Sequence, residues 1–298
     1  IFDSSDSEYQ GNGVVIAVLD TGLDYTHTAF SVNNFATPDE DLAFTLGDGS
    51  ERDVAKKVGA TAAATFTSGL TGEDVYINKK VPYAYDYADK DPDVLPINSA
   101  HGTHVAGIIA GQDDTITGVA PNAQLAIMKV FSDSSEGAKT SWLLAALEDC
   151  VTLGVDVINM SLGTSCGFSR EVDEKEKNKI YDSIKEAGIS LIAAASNDYN
   201  ATFSSEKNGN LGLTSNPDSG TVGAPSTYDA ALSVASISGV KTPYLTYEGK
   251  VMYFKEANDK ASKPKNFVND ILAENENEKT FEYVTISGFG SAVDYNGL

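Results

Sequence analysis

Val14-Val15-Ile16-Ala17-Val18-Leu19-Asp20-Thr21-Gly22 is the stretch whose reading decides the fold. Its apolar residues, most of them β-branched, run without a polar break into an aspartate and a Thr-Gly turn. Such a run reads as a strand buried on both faces, the mark of a parallel sheet. Parallel sheets place functional side chains at the carboxyl ends of their strands, and Asp20 falls there. Val157-Ile158-Asn159-Met160-Ser161-Leu162-Gly163 is a second such strand, and Leu191-Ile192-Ala193-Ala194-Ala195-Ser196-Asn197 a third, ending in a side-chain amide. Between the first and second lies His101-Gly102-Thr103-His104-Val105-Ala106-Gly107. It joins the side chain best suited to general-base work at neutral pH to a glycine and the start of an apolar helix.

Outward from these blocks, strands and helices alternate. Residues 1–10 are a polar lead-in, and 31–80 read as a loop-rich insertion containing Asp39-Glu40-Asp41. Strands are expected over 81–87, 125–131, 189–195 and 230–237. The helix opening at His101 should turn Val105, Ile108 and Ile109 toward the sheet. The next, from Ser141, is expected to take Thr140 or Ser141 as its N-cap. A charged helix over 171–187 should stop at Gly188. This order predicts an α/β fold, a mainly parallel sheet with helices on both faces. After about residue 240 the composition shifts to Tyr244, Tyr247, Tyr253 and Phe254 among polar residues, which reads as hairpin material opening a smaller β-rich domain.

Bulk properties narrow the function. The 298 residues suffice for a large core, and 41% hydrophobic content excludes wholesale disorder. A net charge of −22 argues against nucleic acid, whose phosphates require Lys and Arg. Solubility through self-repulsion accounts for that charge more simply than steering of cationic substrates. No apolar run is long enough to form a membrane span. A start at Ile1 reads as a mature or trimmed chain. Cys150 and Cys166 flank a strand roughly 20 Å long, beyond disulfide reach, and read as free thiols packed in core or loop.

The four blocks, in this order, resemble the subtilisin-like serine proteases over roughly residues 10 to 237. Within that family the insert positions suggest the lactocepin-like cell-envelope proteinases of Gram-positive bacteria. The resemblance implies that Asp20 orients and His101 is the base, although 81 residues separate them. It makes Asn197 the oxyanion donor, with Ser196 where the family usually has glycine. It implies that Ser161, Leu162 and Gly163 pair with an extended substrate, and that Ala194, Ala195 and Gly223 line a primary pocket able to admit a sizeable side chain. A cis peptide is implied before Pro225. The resemblance divides the chain into residues 1–240, the N-terminal part of a catalytic domain, and 241–298, the start of an inserted protease-associated-like domain.

The family's nucleophile segment, Gly-Thr-Ser followed by a small apolar residue and Ala, is absent. The expectation is therefore a secreted or cell-wall-associated serine endopeptidase acting on a protein or peptide, its serine supplied by a C-terminal segment or second chain. A catalytically inactive subtilase serving as a binding scaffold is the alternative.

Several look-alikes carry less weight. Ser165 follows Gly163-Thr164 but precedes Cys166-Gly167 and ends the substrate strand. Asp20-Thr21-Gly22 with Asp218-Ser219-Gly220 imitates the aspartic-protease loops, yet Asp218 follows loop sequence and the chain is rich in helices. His104 reads as a core histidine and His27 as a structural hydrogen-bonding residue, and the glutamate of the helical zinc motif is missing. Calcium is considered without a site: Asp89, Asp91 and Asp93 alternate as in a hand-type loop, but Val94 and Ala100 occupy its glycine and bidentate-acid positions.

Overall fold

A computed structural model describes residues 9–135, 137–164, 175–197, 222–236, 244–247 and 250–253. Six strands, β1 (Val15–Asp20), β2 (Tyr83–Asp86), β3 (Gln124–Lys129), β4 (Val157–Met160), β5 (Ser190–Ala194) and β6 (Ala231–Val234), form one sheet in the order β2-β3-β1-β4-β5-β6. Every neighbouring pair is parallel. Three short helices occupy the 31–80 stretch: α1 (Val54–Lys57), α2 (Ala62–Phe66) and α3 (Gly72–Val75). The longer helices are α4 (His101–Ala110), α5 (Thr140–Leu153) and α6 (Lys175–Glu186). The fold is α/β.

The apolar run of β1 is continuous because both of its faces are covered. Ile16 and Val18 point into a cluster with Leu23, Phe30, Leu125, Ile127 and Ala106. Val15, Ala17 and Leu19 point into the other, with Met128, Ala146, Leu147, Leu153 and Ile184. Alternate residues of one strand thus feed two cores, the period-two geometry of a pleated chain. The 31–80 stretch adds Phe44, Val54, Val58, Leu70 and Val75 to the second core. Most of it is loop, as its small and polar residues suggest, with the three short helices and 3-10 turns set into it.

Helix α4 approaches the sheet through Gly102, Ala106 and Ala110, all buried. Val105 and Ile109 are only partly buried, and Ile108 is 56% exposed. Val105 and Ile109 nevertheless pack against the Ile16–Val18 core as the sequence suggests, and only the expectation for Ile108 is corrected. A Cβ on Gly102 would lie 2.3 Å from Gly22 O and 3.1 Å from Asp20 Cβ, a spacing that larger side chains cannot enter. Helix α5 begins at Lys139 as N-cap with no side-chain capping bond, in place of Thr140 or Ser141. Lys139 instead sets its ammonium over the Trp142 ring at 4.5 Å. Gly154 ends α5 at φ 77°, and Gly188 follows α6 at φ 72°; residues 171–174 of the expected helix lie outside the described residues. No helix among the described residues is long and apolar enough to cross a membrane.

The chain divides into compact units at Ala235/Ser236. In the second unit, β7 (Tyr244–Tyr247) and β8 (Lys250–Tyr253) form an antiparallel hairpin.

Candidate active site

Asp20 is the last residue of β1, 1% exposed. Its Oδ1 accepts from Thr21 N at 2.7 Å and from His101 Nδ1 at 2.8 Å. Oδ2 has no partner among the described residues. A carboxylate can only accept, so Nδ1 carries a proton, and in the neutral ring the lone pair is then on Nε2. His101 opens α4 with its side chain 51% exposed, so the free nitrogen is available from solvent.

The Asp-Thr-Gly turn and the start of α4 are stitched together. Thr21 Oγ1 accepts from Gly102 N at 2.9 Å and donates to Ser99 O at 2.9 Å. Ser99 Oγ accepts from His101 N at 3.3 Å, and Thr103 Oγ1 accepts from Asp24 N at 2.8 Å. Gly22 takes φ 106°, and a Cβ there would meet Val94 O at 2.2 Å. A residue with a side chain fits neither the conformation nor the space. Sequence reasoning passes over Thr21, Ser99 and Thr103; their signal is only the Thr that follows each of the two chemically loaded residues' turns.

The remaining candidates share the same sheet edge. Val18 pairs with Asn159 and Asn159 with Ile192. Two residues further along each strand, Asp20, Ser161 and Ala194 therefore stand level. Asn197 lies three residues past Ala194 and is exposed. β5 is two strands from β1, about 10 Å across the sheet. Ser196 holds φ at 99°, so the turn before Asn197 keeps a glycine-like conformation on a residue with a side chain.

The Ser161–Gly163 segment ends in a bridge: Thr164 N donates to Ala224 O at 2.9 Å, and Ala224 N to Thr164 O at 3.1 Å. Ser161 and Leu162 are half-buried and Gly163 is exposed. Gly223 is buried, with N donating to Ala195 O at 3.0 Å. A Cβ on it would lie 2.5 Å from Thr164 O and 3.1 Å from Ser196 Cβ. A side chain at Gly223 would therefore run into the Thr164 backbone. Ala194 and Ala195 are half-buried beside it. The Ala224–Pro225 peptide is cis.

A cleft of about 340 Å³ opens beside the Asp20–His101 pair, with Thr21, Asn98 and Ser99 on one wall and Phe131 and Asp133 on the other. Behind it, Asp86, Asp89 and Asp133 bring carboxylate oxygens within 4.8 Å of one another. The Lys129 ammonium sits among them, bonded to Asp86 and, at 3.1 Å, to Asp133. Asp91 and Asp93 turn to local backbone, accepting from Asp93 N and Leu95 N. His104 is exposed, contrary to the core role expected of it, because α4 buries its glycine and alanine side. His27 Nδ1 accepts from Ala29 N at 3.2 Å, a local structural bond. Cys150 is buried against Met128 Sδ, and burial raises its thiol pKa well above the ordinary value; Cys166, Ser165 and Asp218 lie outside the described residues.

A buried carboxylate bonded to a half-exposed imidazole, at the carboxyl edge of a parallel sheet, has the geometry of the acid–base pair of a serine-hydrolase class of site. The subtilase family model of peptidase S8 matches residues 11–290, and the chain belongs to that family. A PI-type proteinase of Lactococcus lactis subsp. cremoris is 34% identical over 243 residues, 78% of this chain and 12% of that protein. A C5a peptidase of Streptococcus pyogenes is 32% identical over 237 residues, 77% of this chain and 18% of that protein. The chain therefore spans less than a fifth of the length of either relative. Among solved structures, a prenylagaramide maturation protease aligns with TM-score 0.44 and 24% identity, covering 76% of this chain and 55% of that one.

Proposed function

We propose that this chain is the N-terminal part of a serine endopeptidase whose nucleophile comes from a further, C-terminal segment. The observation that carries it is the 2.8 Å contact between Asp20 Oδ1 and His101 Nδ1. It holds the imidazole in the tautomer whose free Nε2 can accept a proton. In the proposed reaction a serine hydroxyl attacks the scissile carbonyl while His101 Nε2 takes its proton. The imidazolium that forms is stabilised by Asp20, and Asn197 Nδ2 donates to the developing oxyanion. His101 then returns the proton to the leaving amine, and water, activated by the same nitrogen, releases the acyl group.

Support for a docking C-terminal segment comes from the sheet edge. On β6, Leu232 and Val234 are 62% and 49% exposed. A parallel strand with apolar side chains open to solvent is a surface for further chain to cover. The family of the chain and the names of its relatives favour a protein or peptide substrate and a secreted or cell-wall-associated setting. An inactive scaffold would have no use for a base held in its working tautomer.

The test is turnover by a longer protein that includes the C-terminal segment. His101→Ala or Asp20→Asn should each lower kcat by roughly 10⁴. Asn197→Ala should lower it by about 10²–10³ with little change in KM. An unchanged kcat in His101→Ala would overturn the proposal.

A further inference from the structure

Lys129 is 1% exposed at the carboxyl end of β3, in register with Asp20 across the β1–β3 ladder. Its stem runs beneath the Asp-Thr-Gly turn, with Cδ 2.9 Å from the place a Gly22 Cβ would take. Its ammonium meets Asp86 from β2, Asp89 at 3.5 Å from the turn after β2 and, from the cleft wall, Asp133 at 3.1 Å. Asp133 reaches on to the opposite wall: its backbone O accepts from Asn98 Nδ2 at 2.5 Å, and Oδ1 from Ile97 N at 3.4 Å. Ser99, next along, accepts from His101 N and from Thr21 Oγ1. One buried cation is therefore joined, through Asp133 and Asn98, to the segment that carries the imidazole.

A buried ion pair gives little net stability over apolar packing of the same volume, because desolvating the charges offsets their attraction. What it does supply is a defined geometry, since carboxylates from the β2 turn (Asp86, Asp89) and from the stretch after β3 (Asp133) share one donor group with fixed reach. We propose that Lys129, acting through Asp133, is a positioning residue for His101, setting the spacing of the two cleft walls and the direction of the imidazole. The functional half of this inference rests on the proteolytic reading; the geometric half does not.

The test separates the two. In the 298-residue chain, Asp133→Asn keeps a side chain of the same shape but leaves one acceptor oxygen where two served the Lys129 ammonium and Ile97 N, and it removes the charge that pairs with the ammonium. The low-field Nδ1–H resonance of His101 should shift or broaden while far-UV circular dichroism is unchanged. Lys129→Met should do the same more strongly; if it fails to fold, Asp133→Asn decides. A lowered Tm in Asp133→Asn with an unmoved His101 resonance would show a purely structural role and overturn the proposal. In the longer protein, Asp133→Asn should lower kcat about tenfold, since misplacement of a base by a fraction of an ångström has that order of effect. An unchanged kcat there would also count against it. A longer protein that is inactive before any substitution would sink the proteolytic reading and leave the resonance as the test of positioning.

Discussion

Gly102 lies against Asp20 so closely that a methyl group could not stand between them: an added Cβ would be 3.1 Å from Asp20 Cβ and 2.3 Å from Gly22 O. This packing is what allows His101, the preceding residue, to reach a carboxylate 81 positions earlier in the chain. The small-residue face of α4 and the hydrogen bond of the site are one feature.

Gly102→Ala should accordingly separate the pair. In the longer protein kcat/KM should fall by about 10² or more, an order set by roughly 1 Å of misplacement. Thermal melting of the 298-residue chain should drop in parallel. Full activity in a variant confirmed by mass would show that α4 can lift without consequence.

Ser196 sits at φ 99°, a region that costs a residue with a Cβ about 1 kcal/mol or more. Ser196→Gly should raise the stability of the chain by up to about 1 kcal/mol, the relief exceeding glycine's extra unfolded-state entropy. Urea denaturation measures it. A loss of stability would mean that the serine side chain contributes more than its backbone costs.

Gly223 answers a question of specificity. Because a Cβ there would meet Thr164 O at 2.5 Å, Gly223→Ala should lower Tm, and cleavage after large and small residues should fall together. Selective loss of cleavage after large residues would restore the pocket-floor role that its sequence neighbourhood suggests.

Lys80 is buried with Nζ donating to Pro121 O at 2.6 Å and Ala123 O at 2.7 Å, over the Phe35 ring. Burial pushes its pKa down to about 7. Between pH 7 and the unfolded value of about 10.4 the unfolded chain holds more protons at this site, so folding stability from it rises with pH. Urea midpoints at pH 7 and 9.5 should therefore rise more in the wild type than in Lys80→Met. Equal slopes would show that Lys80 stays protonated throughout.

What was legible in the sequence follows a physical line. The β1 run and the His101 block announce themselves because burial on both faces and a glycine-bound turn leave strong local patterns. The face of α4 is legible only in part: Val105 and Ile109 pack on the core as hydrophobic periodicity suggests, but Ile108 does not, and the closest approach is made by Gly102, Ala106 and Ala110. Close approach rewards the absence of a side chain, and no hydropathy pattern records that. The same limit applies to the close approach of Gly223 to Thr164, 59 positions away. Lys129 is hard to read in sequence for a related reason: two of its partners, Asp86 and Asp89, lie some forty positions earlier in the β2 turn.

The most direct test of the central claim is labelling with a serine-directed fluorophosphonate, read by mass spectrometry of the modified peptide. The 298-residue chain should take no label. The longer protein should be labelled on one serine beyond residue 298, and His101→Ala should abolish that label by removing the base that activates the hydroxyl. A label on a serine within residues 1–298, or labelling of the longer protein that ignores His101→Ala, would contradict the account.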